Sequence, residues 1–471
     1  MAGKVSNLTV TRRVFLRSAV VVGASGTLAS LLQACSPAAT PAPTPTQAAA
    51  KPAAPAASPA PAATQAAAKP AAPAVVKGSK ITLIAGASFW PESDDYRNKW
   101  MTDWAKQYGA DFGVDSTTEG TSDAQLASIA ETGAGPDFAL LQAHHPNVLA
   151  KGLADLDDVV EELSSKYGGF DDWGKSVCVV DGHWKGLPSW IYPKAWNYRE
   201  DYLKDAGVDK FPTTYDELLA AAKKLNDSGK PIGCSFGHAA TDATGWLYPL
   251  LWAFGGKELE SDGKTLALDS PETAKAIEYA KEIYPLMIPG TPSWGEVGNN
   301  QAFMGGAISA TINVNTIYLA AKRDNNDIAK AMSHAPYTTG PAGNFGYHSV
   351  GLYGVFKHSP NLAGVKALLR DWHSPEALSG WLKIGQTYFV PALHDFLKLN
   401  WWPDDPKLAL FKTATQNNRL PGYAGPLGGP AASALATYIV VDMFAKAVQG
   451  MSTKDAIAWA VGEYSLLLKK Q

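Results

Sequence analysis

The chain has 471 residues, of which 46% are hydrophobic and 18% charged, and its formal net charge at pH 7 is −3. This length exceeds what one ordinary hydrophobic core supports, so two lobes are expected. The balanced charge argues against nucleic acid as a partner, because nucleic acid binding needs a concentrated basic surface.

The N-terminal residues are predicted to be an export signal rather than part of the fold. Arg12 and Arg13 form a twin-arginine pattern ahead of an apolar run that is short for a membrane span. The four residues that end at Cys35 resemble a bacterial lipobox. We expect residues 1–34 to be a cleaved twin-arginine lipoprotein signal, with a plain anchor helix as the alternative. Lipidation of Cys35 would then anchor the chain on the extracytoplasmic face of the cell membrane.

Residues 35–78 are predicted to be a disordered tether. Between residues 36 and 74 the chain consists almost wholly of Pro, Ala, Thr and Gln, with two lysines. Such a segment cannot bury enough apolar surface to offset its ordering entropy, and its prolines favour extended polyproline II. At about 3.1 Å per residue it could hold a domain up to roughly 100 Å from its anchor.

Beyond the tether, short apolar runs alternate with helical ones. Strands are predicted at 81–85, 111–117 and 137–141, with helices at about 94–108 and 124–130 between them. This alternation is typical of βαβ units and a parallel sheet, in which ligands bind beyond the carboxyl ends of the strands. The candidate ligand contacts near these strand ends are Trp90, Glu119, Gln142 and His144.

Residues 188–197 are predicted to be an extended segment that crosses from one lobe to the other. Alternation along a strand puts Trp190 and Tyr192 on one face, and both are candidate ligand contacts at the floor of a cleft. Farther along, Thr214 and Glu217 have the spacing of a capping box, which predicts the start of a helix in the second lobe.

The alternating pattern then restarts. A strand is predicted at 231–236, a helix that includes Trp246, a helix after Ser270, and a strand at 307–313. A second glycine-broken extended segment, 347–357, is where the chain is expected to cross back. Loops on rigid scaffolds often carry binding residues. The candidate ligand contacts of this half are Trp246, Trp294, Asn313, Tyr347, His348 and Tyr423.

The positions of cysteine, histidine and arginine bear on disulfides, metal sites and the charge of the ligand. Cys178 and Cys234 are expected in different lobes, as free thiols. His144 directly precedes His145, and neighbours in a strand point to opposite faces, so we expect no metal site and no cofactor. Arginine is absent from the predicted cleft stretches, although phosphate and carboxylate ligands usually require it. A neutral polyol is therefore favoured.

Several short stretches, which together span most of residues 80–471, recur in a characteristic order and spacing. They are Gly135-Pro136-Asp137, the run 151–156, Gly186-Leu187-Pro188, Tyr198-Arg199-Glu200-Asp201, the run 212–218, Phe303 with Gly306, and the run 450–456. In this order and spacing they resemble an extracellular solute-binding protein of an ABC importer, of the maltose- and oligosaccharide-binding type (family 1). Arg199 stands where the family typically has Asn, and Asn313 stands in a region that commonly has Trp.

The resemblance implies an α/β, two-lobed fold of the periplasmic-binding-protein type II kind, each lobe a mainly parallel sheet flanked by helices. The expected lobes are 79–189 with about 350–395, and 190–349 with about 396–471. The implied function is non-catalytic: a monomeric lipoprotein captures a sugar or oligosaccharide in the interlobe cleft by hinge closure. It then delivers the ligand to the membrane subunits of an ABC importer.

Two other functions remain open at this level. A binding protein for another solute class is the first: for a polyamine or a cationic vitamin, because acidic groups framed by Trp suit a cation, or for a sugar phosphate, because lysine or helix N-termini can bind an anion. A glycoside hydrolase with paired carboxylates is the second. The adjacent acidic pairs are Asp94-Asp95, Asp157-Asp158, Glu161-Glu162 and Asp171-Asp172, each in a helical or solvated context.

Overall fold

The computed structural model describes residues 75–117 and 122–470, with the side chain of Ser122 excepted. The predicted signal, Cys35 and most of the predicted tether therefore lie outside the described residues, as does Glu119. Among the described residues no single helix has the length and apolar character to cross a membrane, although one helix pair, bent by 45°, meets that test jointly. That pair is Gly429–Ala436 with Ile439–Val448.

Helices and strands alternate along the described chain. The first part contains β1 Lys80–Gly86, α1 Pro91–Gln107, β2 Asp111–Thr117, α2 Ser122–Thr132, β3 Phe138–Leu141, α3 His145–Val148, α4 Asp157–Lys166, α5 Asp172–Cys178, β4 Val179–Val180, β5 His183–Trp184 and β6 Leu187–Tyr192. The middle part contains β7 Ala195–Arg199, α6 Glu200–Asp205, α7 Tyr215–Asp227, α8 Asp242–Ala253, α9 Pro271–Ile283, α10 Gly298–Met304, β8 Ala310–Asn313, α11 Thr316–Asp324, α12 Asn326–Ala331 and β9 Met332–Ala335. The last part contains β10 Gly346–Tyr347, β11 Ser349–Val355, α13 Leu362–Trp372, α14 Pro375–Gly385, β12 Val390–Pro391, β13 Asn418–Arg419, α15 Gly429–Ala436, α16 Ile439–Val448 and α17 Thr453–Leu468.

A six-stranded sheet of order β12-β6-β11-β3-β1-β2 forms the core of one lobe, called lobe 1 below. Strand β1 pairs in parallel with β2 and β3, which confirms the predicted βαβ units. Strand β11 enters from far along the chain and is antiparallel to both β3 and β6. Helices α1, α13 and α14 pack on one another beside this sheet.

The chain leaves lobe 1 between β6 and β7. Strand β6 belongs to the six-stranded sheet, whereas β7 is the middle of a separate three-stranded sheet of order β8-β7-β9. The chain therefore crosses between the two sheets at Pro193 and Lys194, which lie inside the segment 188–197. The return takes place at His348, since β10 pairs with β13 outside the large sheet while β11 lies within it.

The second lobe, called lobe 2, is built on the three-stranded sheet and on helices α7, α8, α9, α16 and α17. Both pairings of β7 are antiparallel, so the expectation of a mainly parallel sheet does not describe this part of the lobe. The predicted strand at 231–236 is not a named strand of a sheet, but it forms backbone hydrogen bonds on two sides. Gly233 N donates to Ala310 O and Ser309 N donates to Pro231 O on one side, and Ile288 N donates to Ile232 O and Phe236 N donates to Thr291 O on the other.

Local sequence signals explain several helix starts. Thr214 accepts a hydrogen bond from the backbone of Glu217, and the Glu217 side chain accepts one in return, so the predicted capping box is confirmed. Ser270 and Ser452 cap α9 and α17 in the simpler way, through one accepted backbone bond each. Cys178 and Cys234 are both free and buried, as expected.

Candidate functional site

A narrow pocket lies where the two lobes meet. It encloses about 370 Å³ of space, its solvent-open mouth included. Lobe 1 contributes Asp123, Gln142, Ala143, His144, Ser349 and Val350, and lobe 2 contributes Ala240, Thr241, Leu435, Ala436 and Tyr438. Tyr347 and His348, at the return crossing, complete the lining. Gln142, His144, Tyr347 and His348, all predicted as ligand contacts, are thus brought together.

The position of each wall follows from the fold. Gln142 and His144 come directly after β3, at the carboxyl end of a parallel strand, where ligands of α/β sheets bind. Thr241 and Tyr438 directly precede α8 and α16 and contribute from lobe 2. Tyr438 has a left-handed backbone conformation, with φ of 58°, and its ring stacks on that of His238 at 4.4 Å.

Asp123, His144 and His145 form a polar cluster on the lobe 1 wall. Nε2 of His145 lies 3.0 Å from one carboxylate oxygen of Asp123, and Nε2 of His144 lies 3.3 Å from the other. The prediction that the two imidazoles point to opposite faces was wrong. His144 and His145 lie at the start of the short helix α3 rather than in a strand, and their ring centroids are 4.0 Å apart.

The ionisation of this cluster follows from its burial. Burial raises the pKa of Asp123, but the two neighbouring imidazoles outweigh that effect and hold its pKa well below the usual range. Burial, with a smaller contribution from His144, lowers the pKa of His145 to about 4. Burial likewise lowers the pKa of His348 to about 4, and its Nδ1 has no hydrogen-bond partner among the described residues.

The same three side chains have the composition of a metal site, with ligand atoms within 4.8 Å of one another. The hydrogen bonds argue against that role. The backbone N–H of Gln142 donates to Nδ1 of His145 at 2.8 Å, which places the proton of the neutral imidazole on Nε2. A protonated Nε2 can donate to Asp123 but cannot bind a metal. A second group, Asp155, Asp157 and His183, is largely exposed, and Lys185 is paired with Asp155.

The predicted aromatic contacts Trp190 and Trp246 are buried away from this pocket, each only 1% exposed. Trp190 packs edge-on against Tyr353, Trp381 and Phe389 within lobe 1. Tyr192 shares its face, as alternation predicted, and is half-buried against Phe389. The crossing segment is in place, but the aromatic face of β6 packs within lobe 1 because Trp381 of α14 and Phe389 cover that face of the sheet.

The remaining predicted contacts also lie elsewhere. Trp90 is buried and donates to Ile384 O, and the Asn313 side-chain amide is bonded to Asn300 and to the backbone of Val314. Trp294 lines a second, more open pocket beside His238. Tyr423 lies with its ring 3.7 Å from the guanidinium of Arg419.

Sequence reasoning missed Asp123, Thr241, Ser349 and Tyr438. Asp123 lies in the first turn of α2, and Thr241 and Tyr438 directly precede helices, positions that a search of the predicted helix starts would have included. Ser349 lies beside His348 in the return crossing and would have been found by extending that candidate by one residue.

The lining is suited to hydrogen bonding with hydroxyl groups. Among the described lining residues there is no lysine or arginine, and Asp123 is the one carboxylate. The described lining therefore does not supply the pair of carboxylates on which glycoside hydrolysis depends. Two tyrosines, a leucine and a valine supply apolar surface, and amide, imidazole and hydroxyl groups supply polar contacts.

The chain resembles known proteins in both sequence and fold. A family model for bacterial extracellular solute-binding proteins matches residues 99–410. A protein of Brucella abortus described as a binding protein is 24% identical over 275 residues. That alignment covers 54% of this chain and 63% of the relative, so the match spans less than two thirds of the relative's length.

Solved structures with the same fold include an ABC transporter solute-binding protein of Thermotoga lettingae bound to α-D-tagatose, with a TM-score of 0.73 and 20% identity. The GacH receptor of Streptomyces glaucescens, solved unliganded and with acarbose, has a TM-score of 0.71 and 18% identity. Both alignments cover 83% of this chain, and they cover 100% and 99% of the respective structures. The likeness shows a two-lobed α/β fold.

Proposed function

This chain belongs to the bacterial extracellular solute-binding proteins, and on that premise we propose that it captures a neutral sugar or oligosaccharide between its lobes. The protein is non-catalytic and delivers its ligand to the membrane subunits of an ABC importer. The single observation that carries the proposal is the interlobe pocket, because both lobes contribute hydrogen-bonding side chains to it and its described lining has no cationic group. The relatives bound to α-D-tagatose and acarbose support the sugar class.

Burial of the ligand between the two lobes would supply the binding energy and favour hinge closure. A ligand held by Asp123 and Gln142 from one lobe and by Thr241 and Tyr438 from the other contacts both walls only when the lobes are close together. Such a ligand shifts the equilibrium toward the closed form in proportion to its preference for that form. Tyr347 and His348 line the pocket and also belong to the return crossing, which would bend during hinge motion.

The chain acts as a monomer held on the outer face of the cell membrane by lipidated Cys35. This part of the proposal rests on the twin-arginine pattern and the lipobox-like residues before Cys35. Expression of the full chain with Cys35→Ala is expected to release the exported protein from the membrane fraction into the medium. Retention of the variant in the membrane fraction would contradict the anchor.

A thermal-shift screen tests the ligand class. A ligand that binds only the folded protein adds about 2.7 kcal/mol to the free energy of unfolding when its concentration is 100 Kd. This added stability raises Tm. We expect at least one sugar among maltose, laminaribiose and D-tagatose, extended by other neutral mono- and disaccharides, to raise Tm. His348→Ala is expected to abolish the shift, whereas Thr102→Val, on α1, is expected to preserve it.

The second candidate ligand class is a cationic solute. The observation that favours it is Asp123, whose carboxylate faces the pocket and is ionised throughout the physiological range. Putrescine and spermidine therefore belong in the same screen. A Tm increase with these amines and with no sugar would replace the carbohydrate assignment by an amine-binding function.

A further inference from the structure

Thr241 lies on the lobe 2 wall of the pocket, and its hydroxyl proton already takes part in a hydrogen bond within the protein. Its hydroxyl donates to Oε2 of Glu296 at 2.8 Å, and its backbone N–H donates to the other oxygen of the same carboxylate. A threonine hydroxyl has one proton and two acceptor lone pairs. In this geometry Thr241 therefore has no proton left for a molecule in the pocket.

Lys194 fixes the same hydroxyl from the crossing between the two sheets. Its ammonium donates to Oγ1 of Thr241 at 3.2 Å and to Oδ1 of Asp242 at 2.8 Å. The side chains of Lys194 and Asp242 are 2% and 4% exposed, so this pair is shielded from water. Lys194 occupies one lone pair of Thr241, and the second remains as an acceptor on a residue that lines the pocket.

Glu296 is placed to keep the role of acceptor. Its carboxylate receives the backbone N–H groups of Thr241 and Asp242 at the start of α8, where a negative charge is favoured by the helix macrodipole. Burial, and then the charge of Asp242, raise the pKa of Glu296 to about 7. Above that pKa the carboxylate is mostly ionised, and it accepts the hydrogen bond from the Thr241 hydroxyl.

We propose that Thr241 is a specificity-determining residue that offers the ligand a hydrogen-bond acceptor and no donor. The ligand must then place a donor, a sugar hydroxyl or an amino group, against Thr241. Asp123 on the opposite wall is also an acceptor, since its pKa is held low. Both walls therefore require a hydrogen-bond donor from the ligand. This inference rests on the proposed function and refines it: the bound face of the sugar is the one rich in free hydroxyls.

Glu296→Gln provides a sharp test, because it inverts the polarity of Thr241. The glutamine oxygen can keep the two backbone bonds, and its amide nitrogen then donates to Oγ1 of Thr241. Both lone pairs of Thr241 are then used and its proton is released toward the pocket. Thr241→Val removes the hydroxyl altogether at nearly constant volume, and Thr241→Ser retains it.

The experiment is calorimetric titration at pH 8 of the parent and these variants with maltose, laminaribiose, D-tagatose and other neutral mono- and disaccharides. For the sugars that the parent binds, we expect Thr241→Val to raise Kd by about tenfold, the size of one hydrogen bond to a buried partner. Glu296→Gln is expected to raise Kd by less than Thr241→Val does, because a sugar hydroxyl can turn and accept a hydrogen bond from Thr241. Thr241→Ser and the distant control Thr102→Val are expected to stay within about threefold of the parent. Circular dichroism checks that each variant is folded.

The outcomes distinguish the specificity role of Thr241 from the sugar-binding function itself. If the parent binds a sugar and Thr241→Val binds it within about twofold of the parent, the specificity role is wrong while the sugar-binding function stands. A loss of affinity in folded Glu296→Gln that exceeds the loss in Thr241→Val would mean that Glu296 acts other than through Thr241, which also contradicts the specificity role. If no sugar binds to the parent, the proposed function fails and this inference fails with it.

Discussion

The indole rings of Trp190 and Trp381 meet edge to face inside lobe 1, with their centroids 4.8 Å apart. Trp381 comes from α14, and Trp190 comes from the strand that leads into the crossing. This contact packs the end of β6 against α14, which is nearly two hundred residues away in the sequence. It also explains why the most conspicuous aromatic residue of the crossing segment is unavailable to a ligand.

Trp190→Ala is therefore expected to act on stability. Deleting a buried tryptophan side chain typically costs about 3–5 kcal/mol, because transfer free energy is lost and a cavity remains. Urea denaturation followed by circular dichroism measures this loss. Gln142→Ala, at the pocket, serves as the contrast, with an expected change within about 0.5 kcal/mol and a weaker ligand interaction. Parent-like stability of Trp190→Ala would show that the ring is not part of the core.

The buried pair of Lys194 and Asp242 leads to a second prediction. Removing one partner leaves an uncompensated buried charge, at a cost of about 3–5 kcal/mol, whereas replacing both is often close to neutral. Lys194→Met is thus expected to destabilise strongly, and the double variant Lys194→Met with Asp242→Asn is expected to recover most of the loss. Denaturant unfolding of the single and double variants measures the coupling.

The exposed pair of Lys99 and Asp103, on α1, is the matched control for that cycle. Its side chains are largely in water, where ion pairs contribute about 0.2–1 kcal/mol. Lys99→Met is expected to remain within about 0.5 kcal/mol of the parent. If Lys194→Met proved equally mild, the Lys194 ammonium would have to be solvated in the folded protein.

Glu258 is predicted to make stability depend on pH. It is fully buried, its carboxylate accepts from Gly422 N at 2.6 Å, and burial raises its pKa from 4.5 to about 8. Between these two values the folded state keeps a proton that the unfolded state has released. The free energy of unfolding contributed by this group therefore falls as pH rises from about 4.5 to 8.

Glu258→Gln mimics the protonated form and is expected to flatten this decline and to be more stable than the parent at pH 8. Urea unfolding at pH 5, 6, 7 and 8 measures the slope. Part of the slope is expected to persist, because the pKa of Glu296 is also raised. Glu131→Gln, on the exposed face of α2, controls for the loss of one carboxylate. An unchanged slope in Glu258→Gln would place the parent's pH dependence elsewhere.

The capping box of α7 carries a prediction of its own. Thr214→Ala removes the side-chain acceptor of the Glu217 backbone N–H, and loss of such an N-cap typically costs about 1 kcal/mol. Thermal unfolding is expected to show a reduced Tm, and Thr214→Ser is expected to restore it. A Tm of Thr214→Ala equal to that of the parent would mean that water replaces the cap at no cost.

Much of the fold could be predicted because its signals are local. The period of the apolar residues predicted β1, β2 and β3, and Thr214 and Ser270 predicted helix starts close to those observed. The partner of β7 could not be predicted in this way. Strand β8 lies more than a hundred residues away, and nothing in either stretch specifies antiparallel pairing.

The candidate site was predicted in part for the same reason. Gln142 and His144 follow a strand that is evident in the sequence, and His348 lies in an extended segment that is equally evident. Trp190 was assigned to the cleft because it lies in a crossing segment. The face that a strand presents to a ligand depends on what covers the sheet, and here the covering residues include Trp381 and Phe389.

The sequence by itself determined the class of the molecule: its length indicated two lobes, and its short-range periodicity indicated alternating α/β elements and extended crossings. The exported leader, which rests on the twin-arginine pattern, stays a prediction. Tertiary structure alone decided which polar groups share a pocket. The Thr241 hydroxyl donates its proton to Glu296, and Lys194 donates to the same hydroxyl from the crossing. These partners are too far from Thr241 in the sequence for a local pattern to predict them. Hydrogen-bond polarity at a site depends on the partner of each group, and those partners are set by folding.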